Sequence, residues 1–304
     1  MHTGQPGSKG HDMKIKILIL FSLLLTLGCD DKGQNKEPSL STKGELIIGV
    51  DESLKPVIDA EIAMFTVYYP ESSIMPLYLP EKQVVEKLLT NEIQTGIICR
   101  DLTVEEIDII EGNYSHKVSS NKLGYEKIVA IVNNTNPLNE ISDTDLTGII
   151  SGKISNWDQL IPAFKDQKPI LVVIPKSSNI DRYFFSSIET SSSIPAYALG
   201  TTPEVIDYVK ENVSAIGIVT KSWLCSIKTE IPDIKIPNCF SKSTGNENRY
   251  PSFGVYAVTH EPFTGLGSGF ISFMMGQKGQ LILSKSGMAP NKPIEREIKI
   301  SNSF

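Results

Sequence analysis

The sequence alternates short apolar runs with amphipathic segments from Gly44 onward, and this alternation restricts the fold more than any other feature. The run at 46–50 has the length of a buried strand, and similar runs lie at 74–79 and 95–99. A helical pattern follows each of the first two runs, and the second of these helices begins at Pro80. This strand–helix order predicts an α/β fold with a mainly parallel sheet that is flanked by helices.

The alternation resumes after a polar, turn-rich break at 133–137, which is a candidate crossing between two lobes. Further strands are predicted at 125–132, 170–174, 196–199, 215–220 and 250–258, and further helices at 179–188, 203–212 and 270–285, with Ser142 capping one more helix. About 260 residues follow residue 42, which is more than one compact core usually holds. We therefore predict two lobes, the first formed by 43–130 and 245–304 and the second by 131–244.

The amino terminus has the pattern of an export signal. A short basic stretch precedes an apolar run at 17–27, which is too short to span a bilayer but suits the core of a signal peptide. The run ends in Gly28-Cys29, which resembles the lipobox of bacterial lipoproteins. The alternative is an ordinary signal peptide that contains a cysteine, and Gly28 favours the lipobox. We therefore predict a lipoprotein signal peptide with upstream residues at 1–29, lipidation at Cys29, a flexible tether at 30–42 and an extracytoplasmic position at the cell envelope.

Charge and cysteine content exclude several classes of function. The formal net charge is −6, whereas nucleic-acid binding requires a basic face. No Cys/His spacing indicates zinc, and we predict neither a metal nor a cofactor. The common hydrolase motifs are absent, which favours a binding protein over an enzyme, although the sequence leaves a Ser–Lys or paired-carboxylate site open. Cys225 and Cys239 either form a disulfide or remain free thiols.

The segment at 176–179 joins a predicted strand to a predicted helix and has the composition of an anion site. The free amides at the start of a helix and the helix dipole both attract an anion. Ser177 and Ser178 add hydroxyl donors, and Asn179 adds a side-chain amide. Arg182 lies one turn into the predicted helix. Its planar guanidinium can reach back over the amino end of the helix and donate to two oxygens of one anion. The alternative is an ordinary helix cap with a surface arginine.

Two further candidates follow strands of the predicted first lobe. Arg100 stands directly after the third strand, where residues of a ligand crevice belong, although it could instead pair with Asp101 and close a turn. Ser53 begins a helix and either donates its hydroxyl to a ligand or acts as an ordinary cap. Glu52 and Glu81 would repel a dianion if they pointed inward.

Several stretches resemble one known family. Residues 127–138 read KIVAIVNNTNPL and residues 146–158 read LTGIISGKISNWD. These two stretches resemble, in their residues and in the distance between them, a passage of the phosphate-binding proteins of bacterial ABC importers. The stretches AIGIVT at 215–220 and GMAP at 287–290 resemble later parts of the same family. The likeness runs along nearly all of the chain from Gly44.

The resemblance implies a type II periplasmic-binding-protein fold, in which two α/β lobes enclose a ligand cleft. It implies a monomer that captures phosphate or a similar small oxyanion and delivers it to the membrane subunits of an ABC importer. Together with the local chemistry it gives the predicted ligand-binding residues Ser53, Arg100, Ser177, Ser178, Asn179 and Arg182. The loops at 49–53 and 79–83 depart from the hydroxyl-rich composition usual in the family. The alternative is the same fold binding a different small solute, or a surface-binding lipoprotein without a transport role.

Overall fold

A computed structural model describes residues 1–2, 40–114, 116–161, 169–175, 179–180, 196–227, 233–240 and 250–293. The chain from Pro38 to Phe304 forms one compact unit, and all contacts reported below lie within it. Within the described ranges, no helix combines the length and the hydrophobicity that crossing a bilayer requires.

The first half of the central sheet consists of parallel strands joined by helices. Its elements are β1 (Gly44–Asp51), α1 (Lys55–Tyr68), β2 (Ser72–Leu79), α2 (Glu81–Leu89), β3 (Thr95–Ile98) and α3 (Val104–Asn113). β1 lies between β2 and β3 and runs parallel to both. The last four side chains of β1 are buried, because helices pack against this strand.

The second half of the sheet repeats this parallel arrangement. Its elements are β6 (Leu171–Pro175), β7 (Ala196–Leu199), α5 (Thr202–Glu211), β8 (Ala215–Thr220) and α6 (Lys221–Ser226). β6 lies between β7 and β8 and runs parallel to both. Every side chain of β8 is buried, as expected for an interior strand of a sheet covered by helices.

Two antiparallel strands join the halves, β4 (Ser119–Asn133) and β11 (Ser252–Thr259). β11 pairs with β3 and with the first part of β4, while the second part of β4 pairs with β8. The strand order is β2-β1-β3-β11-β4-β8-β6-β7. β4 changes partner between Lys127 and Ile128, so one continuous strand passes from one half to the other before the predicted crossing at 133–137.

Glu126 lies next to this change of partner and is completely buried. Its Oε1 accepts the N–H of Lys127 at 2.9 Å and the N–H of Ser222 at 3.3 Å, which links β4 to α6. Burial raises the pKa of Glu126 to about 7, although hydrogen bonds from Ser222 and from backbone amides oppose this shift.

The remaining elements are short or lie near the carboxyl end. They are β5 (Glu140–Ser142), α4 (Asp143–Ile150), β9 (Ile234–Lys235), β10 (Asn238–Phe240), α7 (Leu266–Met275), α8 (Gln277–Lys285) and β12 (Ala289–Pro290). The predicted cap is confirmed, because the Ser142 hydroxyl accepts the N–H of Asp145 at 3.0 Å.

The single helix predicted at 270–285 is wrong, because the structure has two helices there. Gly276 lies between them with extended torsion angles, φ −77° and ψ 169°. The second helix then folds back closely on the first: a Cβ at Gly279 would lie 2.4 Å from the Cα of Met274. The apolar periodicity continues through the break, so hydrophobicity alone did not reveal it.

A hydrophobic core extends beneath both halves of the sheet. Its largest fully buried side chains include Trp157, Phe65 and Phe270. Trp157 is therefore a packing residue, as predicted, and its indole N–H donates to the carbonyl oxygen of Ser214 at 3.0 Å.

The α/β fold class is confirmed, with antiparallel strands at the centre of an otherwise parallel sheet. Cys225 and Cys239 are free thiols in the structure.

Candidate ligand cleft

A cavity of about 290 Å³ lies where the carboxyl ends of strands from both halves of the sheet meet. It is lined by Glu52, Ser53, Lys55, Tyr78, Pro175, Thr201, Thr202, Pro203 and Trp223. These residues follow β1, lie at the ends of β2 and β6, or belong to the starts of the helices that follow β7 and β8. In open α/β sheets, ligands bind in crevices at this edge, so this cavity is the candidate site.

We call the side of the cleft formed by residues that follow β1, β2 and β3 the first wall; it includes Asp51, Glu52, Ser53, Glu81, Cys99 and Arg100. Asp51 is completely buried. Its Oδ1 accepts the backbone N–H of Ser53 at 2.9 Å and the Ser53 hydroxyl at 2.5 Å. Asp51 thus caps the 3-10 turn Glu52–Leu54, and Ser53 lies within that turn and donates its hydroxyl to Asp51.

The electrostatics of Asp51 follow from this position. Burial raises the pKa of Asp51 to about 6, and the negative charge of Glu81 adds to the rise. Hydrogen bonds from Ser53 and Asn179 act in the opposite direction. The carboxyl group is therefore ionised at neutral pH and gains a proton only slightly below it.

Glu81 and Arg100 form the deeper part of the first wall. Glu81 Oε2 accepts the N–H of Cys99 at 2.9 Å, and Oε1 lies 3.3 Å from Arg100 Nε. Arg100 also donates to both carboxyl oxygens of Glu106, at 2.7 and 2.8 Å. Glu106 in turn completes a capping box with Thr103 at the start of α3. Carboxylates on two helices therefore hold the Arg100 guanidinium in place.

The ligand atoms of Asp51, Glu81 and Cys99 lie within 4.8 Å of one another, close enough to share a metal ion. The rest of the geometry does not suit a cation. Burial raises the pKa of the Cys99 thiol well above its usual range, which keeps it protonated, and the Arg100 guanidinium adjoins Glu81. Both carboxylates already accept hydrogen bonds. We interpret the cluster as a hydrogen-bonded acidic network.

We call the opposite side, formed by Pro175, Asn179, Thr201, Thr202, Pro203 and Trp223, the second wall. One hydrogen bond joins the two walls: Asn179 Nδ2 donates to Asp51 Oδ2 at 2.5 Å, and both residues are buried. Thr201 caps α5 by accepting the N–H of Glu204 at 3.4 Å. The Trp223 indole nitrogen is buried and has no hydrogen-bond partner in the described part of the chain. The second wall, as defined, carries no charged side chain.

At the rim of the cavity, a lysine and a tyrosine share one carboxylate. Lys55 Nζ lies 2.8 Å from Asp59 Oδ2 and 4.2 Å from the centre of the Tyr78 ring. The Tyr78 hydroxyl also donates to Asp59. The charge of Lys55 is thus already balanced within its own wall.

Three of the predicted site residues lie among the described residues of this region: Ser53 lines the cavity, Asn179 donates to Asp51, and Arg100 pairs with Glu81. Ser177, Ser178, Arg182 and the predicted lipidation site Cys29 lie outside the described residues.

Sequence reasoning missed Asp51 as the acceptor that joins the two walls, and it missed Trp223. Asp51 follows a buried strand, which is the same signal that identified Arg100, and could have been found in this way. Trp223 has no such signal, because its place depends on how α6 packs.

Comparisons with known proteins identify relatives in sequence and in fold. The chain is 24% identical over 298 residues to the phosphate-binding protein PstS of Bacillus subtilis, covering 93% of this chain and 95% of that protein. It is 22% identical over 285 residues to PstS of Staphylococcus haemolyticus, covering 90% of each.

A crystal structure from Clostridium perfringens, described as a putative phosphate ABC transporter substrate-binding protein with bound phosphate, has a similar fold. It has a TM-score of 0.67 and 22% identity, and the match covers 82% of this chain and all of that one. The family model described as a PBP superfamily domain matches residues 35–278, which is most of the chain. The chain therefore belongs to the PBP superfamily.

Proposed function

We propose that this protein captures phosphate, or a similar small oxyanion, outside the cytoplasm and delivers it to the membrane subunits of an ABC importer. The observation that carries the proposal is the hydrogen bond between Asn179 and Asp51. It joins Asn179, which follows β6, to Asp51 at the end of β1, and residues from the two halves of the sheet that contain these strands also line the cavity at the carboxyl edge. Bacterial relatives named for phosphate binding support the choice of ligand.

The chemistry of the cleft is consistent with a protonated oxyanion. Hydrogen phosphate carries a proton that it can donate to a carboxylate, whereas sulfate carries none at neutral pH. A carboxylate has about four lone-pair positions, so Asp51 retains acceptor capacity beyond its bonds to Ser53 and Asn179. The negative charge would be met by the helix start at 176–179 and by Arg182, as the sequence predicts.

A binding role also requires that the cleft open and close. β4 passes from one half of the sheet to the other without interruption, and a strand of this kind can act as a hinge. We propose the lobe segments 43–130, 131–244 and 245–304, with ligand exchange through hinge motion. The relatives are binding proteins, and we propose no catalytic step for this chain.

We further propose a lipid anchor at Cys29 followed by the tether at 30–42, which would hold a monomeric binding unit at the cell envelope. Labelling with a fatty acid tests the anchor. Label should enter the wild-type protein, and a Cys29→Ala variant should carry none; label in the variant would contradict the assignment.

Calorimetry on protein freed of bound phosphate tests the ligand. We expect binding of phosphate in preference to sulfate, and a loss of phosphate affinity of at least tenfold in Arg182→Ala, since a charge-assisted hydrogen bond is lost. Binding of neither anion would reject phosphate and leave the fold assignment intact. The alternative would then be a different small solute, which the acidic first wall favours.

A further inference from the structure

The cavity in the cleft is larger than inorganic phosphate requires. Its volume of about 290 Å³ is close to the lower end of the range of about 300–1,000 Å³ for pockets that hold organic ligands. One water molecule occupies about 30 Å³, and phosphate has only five heavy atoms. There is therefore room beside the anion for a compact organic group.

The charges around the cavity indicate what kind of group this is. Glu52 lines the cavity, and its carboxylate has neither a hydrogen-bond nor an ion-pair partner within the described ranges. The two neighbouring cations are already paired, Lys55 with Asp59 and Arg100 with Glu106. An additional anion alone would leave Glu52 without a counter-charge, whereas a cationic group would supply one.

The side of the cavity opposite Glu52 is neutral and partly aromatic. Trp223 and Tyr78 place two aromatic rings in the lining, and such rings favour an organic cation over a metal ion. Lys55 Nζ already lies 4.2 Å from the centre of the Tyr78 ring, so this ring accepts an ammonium group.

We infer that the cleft binds a phosphate monoester or phosphonate that carries a compact ammonium group, with Glu52 as the residue that selects the ammonium. This inference rests on the proposed function, since it keeps the oxyanion and adds a second subsite. Burial and the nearby charge of Asp51 raise the pKa of Glu52, and a bound cation would oppose this shift.

Three probes in one calorimetric series separate the proposed anion site from the proposed ammonium subsite. Inorganic phosphate reports the anion site, O-phosphoethanolamine carries the anion with an ammonium group, and ethyl phosphate is its uncharged-tail analogue. We expect O-phosphoethanolamine to bind at least tenfold more tightly than ethyl phosphate, because Glu52 gains a charge-assisted partner. In Glu52→Gln this ratio should fall to about one. Glu45→Gln, at the exposed far end of β1, is the matched control and should keep the wild-type ratio.

Each outcome supports or overturns a named part of the proposal. Phosphate binding with equal affinities for the two organic probes would overturn the ammonium subsite and leave the proposed function standing. A tenfold ratio that persists in Glu52→Gln would overturn the role of Glu52, provided that thermal unfolding shows the variant to be folded. Binding of none of the three probes would reject the proposed function, and the subsite with it.

Discussion

The two walls of the cleft differ in almost every physical respect. The first wall is a network of ionisable groups in which Asp51, Glu81 and Arg100 are held by one another and by their neighbours. The described residues of the second wall are neutral, and the Trp223 indole N–H lacks a partner in the described part of the chain. The contrast indicates that ion pairs and charge-assisted hydrogen bonds hold the first wall in place, whereas the described part of the second wall has no such network.

The difference also bears on which wall meets an anion. The first wall has an excess of carboxylates, and its Arg100 is already held by two of them. Such a surface accepts a proton or a cation more readily than a dianion. Under the proposed function, the attraction for phosphate therefore comes mainly from the anion site that the sequence predicts at 176–179 and Arg182.

A large loss of stability is expected when the first wall loses an acceptor. Glu81→Ala removes the acceptor of the Cys99 N–H and one of the two carboxylates beside Arg100, which keeps its pair with Glu106. The free energy of unfolding should fall by about 3 kcal/mol, because the buried Cys99 N–H is left without an acceptor. Urea denaturation measures this loss. Glu92→Ala breaks the exposed pair with Lys87 and should cost far less. Equal losses would show that the network is not cohesive.

The dependence of stability on pH tests the role of Glu61, a buried acidic residue of α1. Glu61 is completely buried in α1, and neither carboxyl oxygen has a hydrogen-bond partner among the described residues. Burial raises the pKa of Glu61 from 4.5 to about 9. Between these values the unfolded chain loses this proton and the folded chain keeps it, so stability falls as the pH rises.

We expect the unfolding free energy to decrease between pH 5 and pH 8 by about 4 kcal/mol through this residue. Glu61→Gln should remove this contribution, since the amide does not ionise, while Glu126 keeps its own part of the slope through its raised pKa. The raised pKa of Asp51 contributes with the same sign, but only between 3.8 and about 6. A slope that is unchanged in Glu61→Gln would contradict this account of Glu61.

The smallest of the three effects concerns the bond between the walls. Asn179→Ala removes a hydrogen bond to a carboxylate and should lower stability by about 1.5 kcal/mol. Asn212→Ala is a suitable control, because its amide donates to the carbonyl of Tyr208 at 2.8 Å within the second half alone. Small-angle scattering of the unliganded protein should show a wider cleft for Asn179→Ala only. A wider cleft in both variants would indicate general loosening.

The sequence predicted those features that depend on neighbouring residues. The strands at β2, β6 and β8 were found from apolar runs, and the Ser142 cap from its local pattern. The amino-terminal part of β4 was missed, since its residues 119–124 are largely polar and form a strand only because β11 pairs with them. The break at Gly276 was missed for a related reason, as tertiary packing overrides a continuous helical pattern.

The candidate site was predictable only in part. The sequence identified Arg100 and Asn179 as candidates because they follow strands, but their partners could not be read from spacing. Glu106 lies one helix away from Arg100, and Asp51 is more than a hundred residues from Asn179. Such pairings depend on how the two halves of the sheet come together.

The phosphate dissociation constants of two arginine variants test the central claim most directly, because Arg182 belongs to the anion site that the sequence predicts and Arg100 belongs to the first wall. Arg182→Ala should weaken binding by at least tenfold. Arg100→Lys keeps the charge in the first wall and should change the constant by less than about threefold. The opposite result, with binding lost in Arg100→Lys and retained in Arg182→Ala, would place the anion at the first wall and contradict the account.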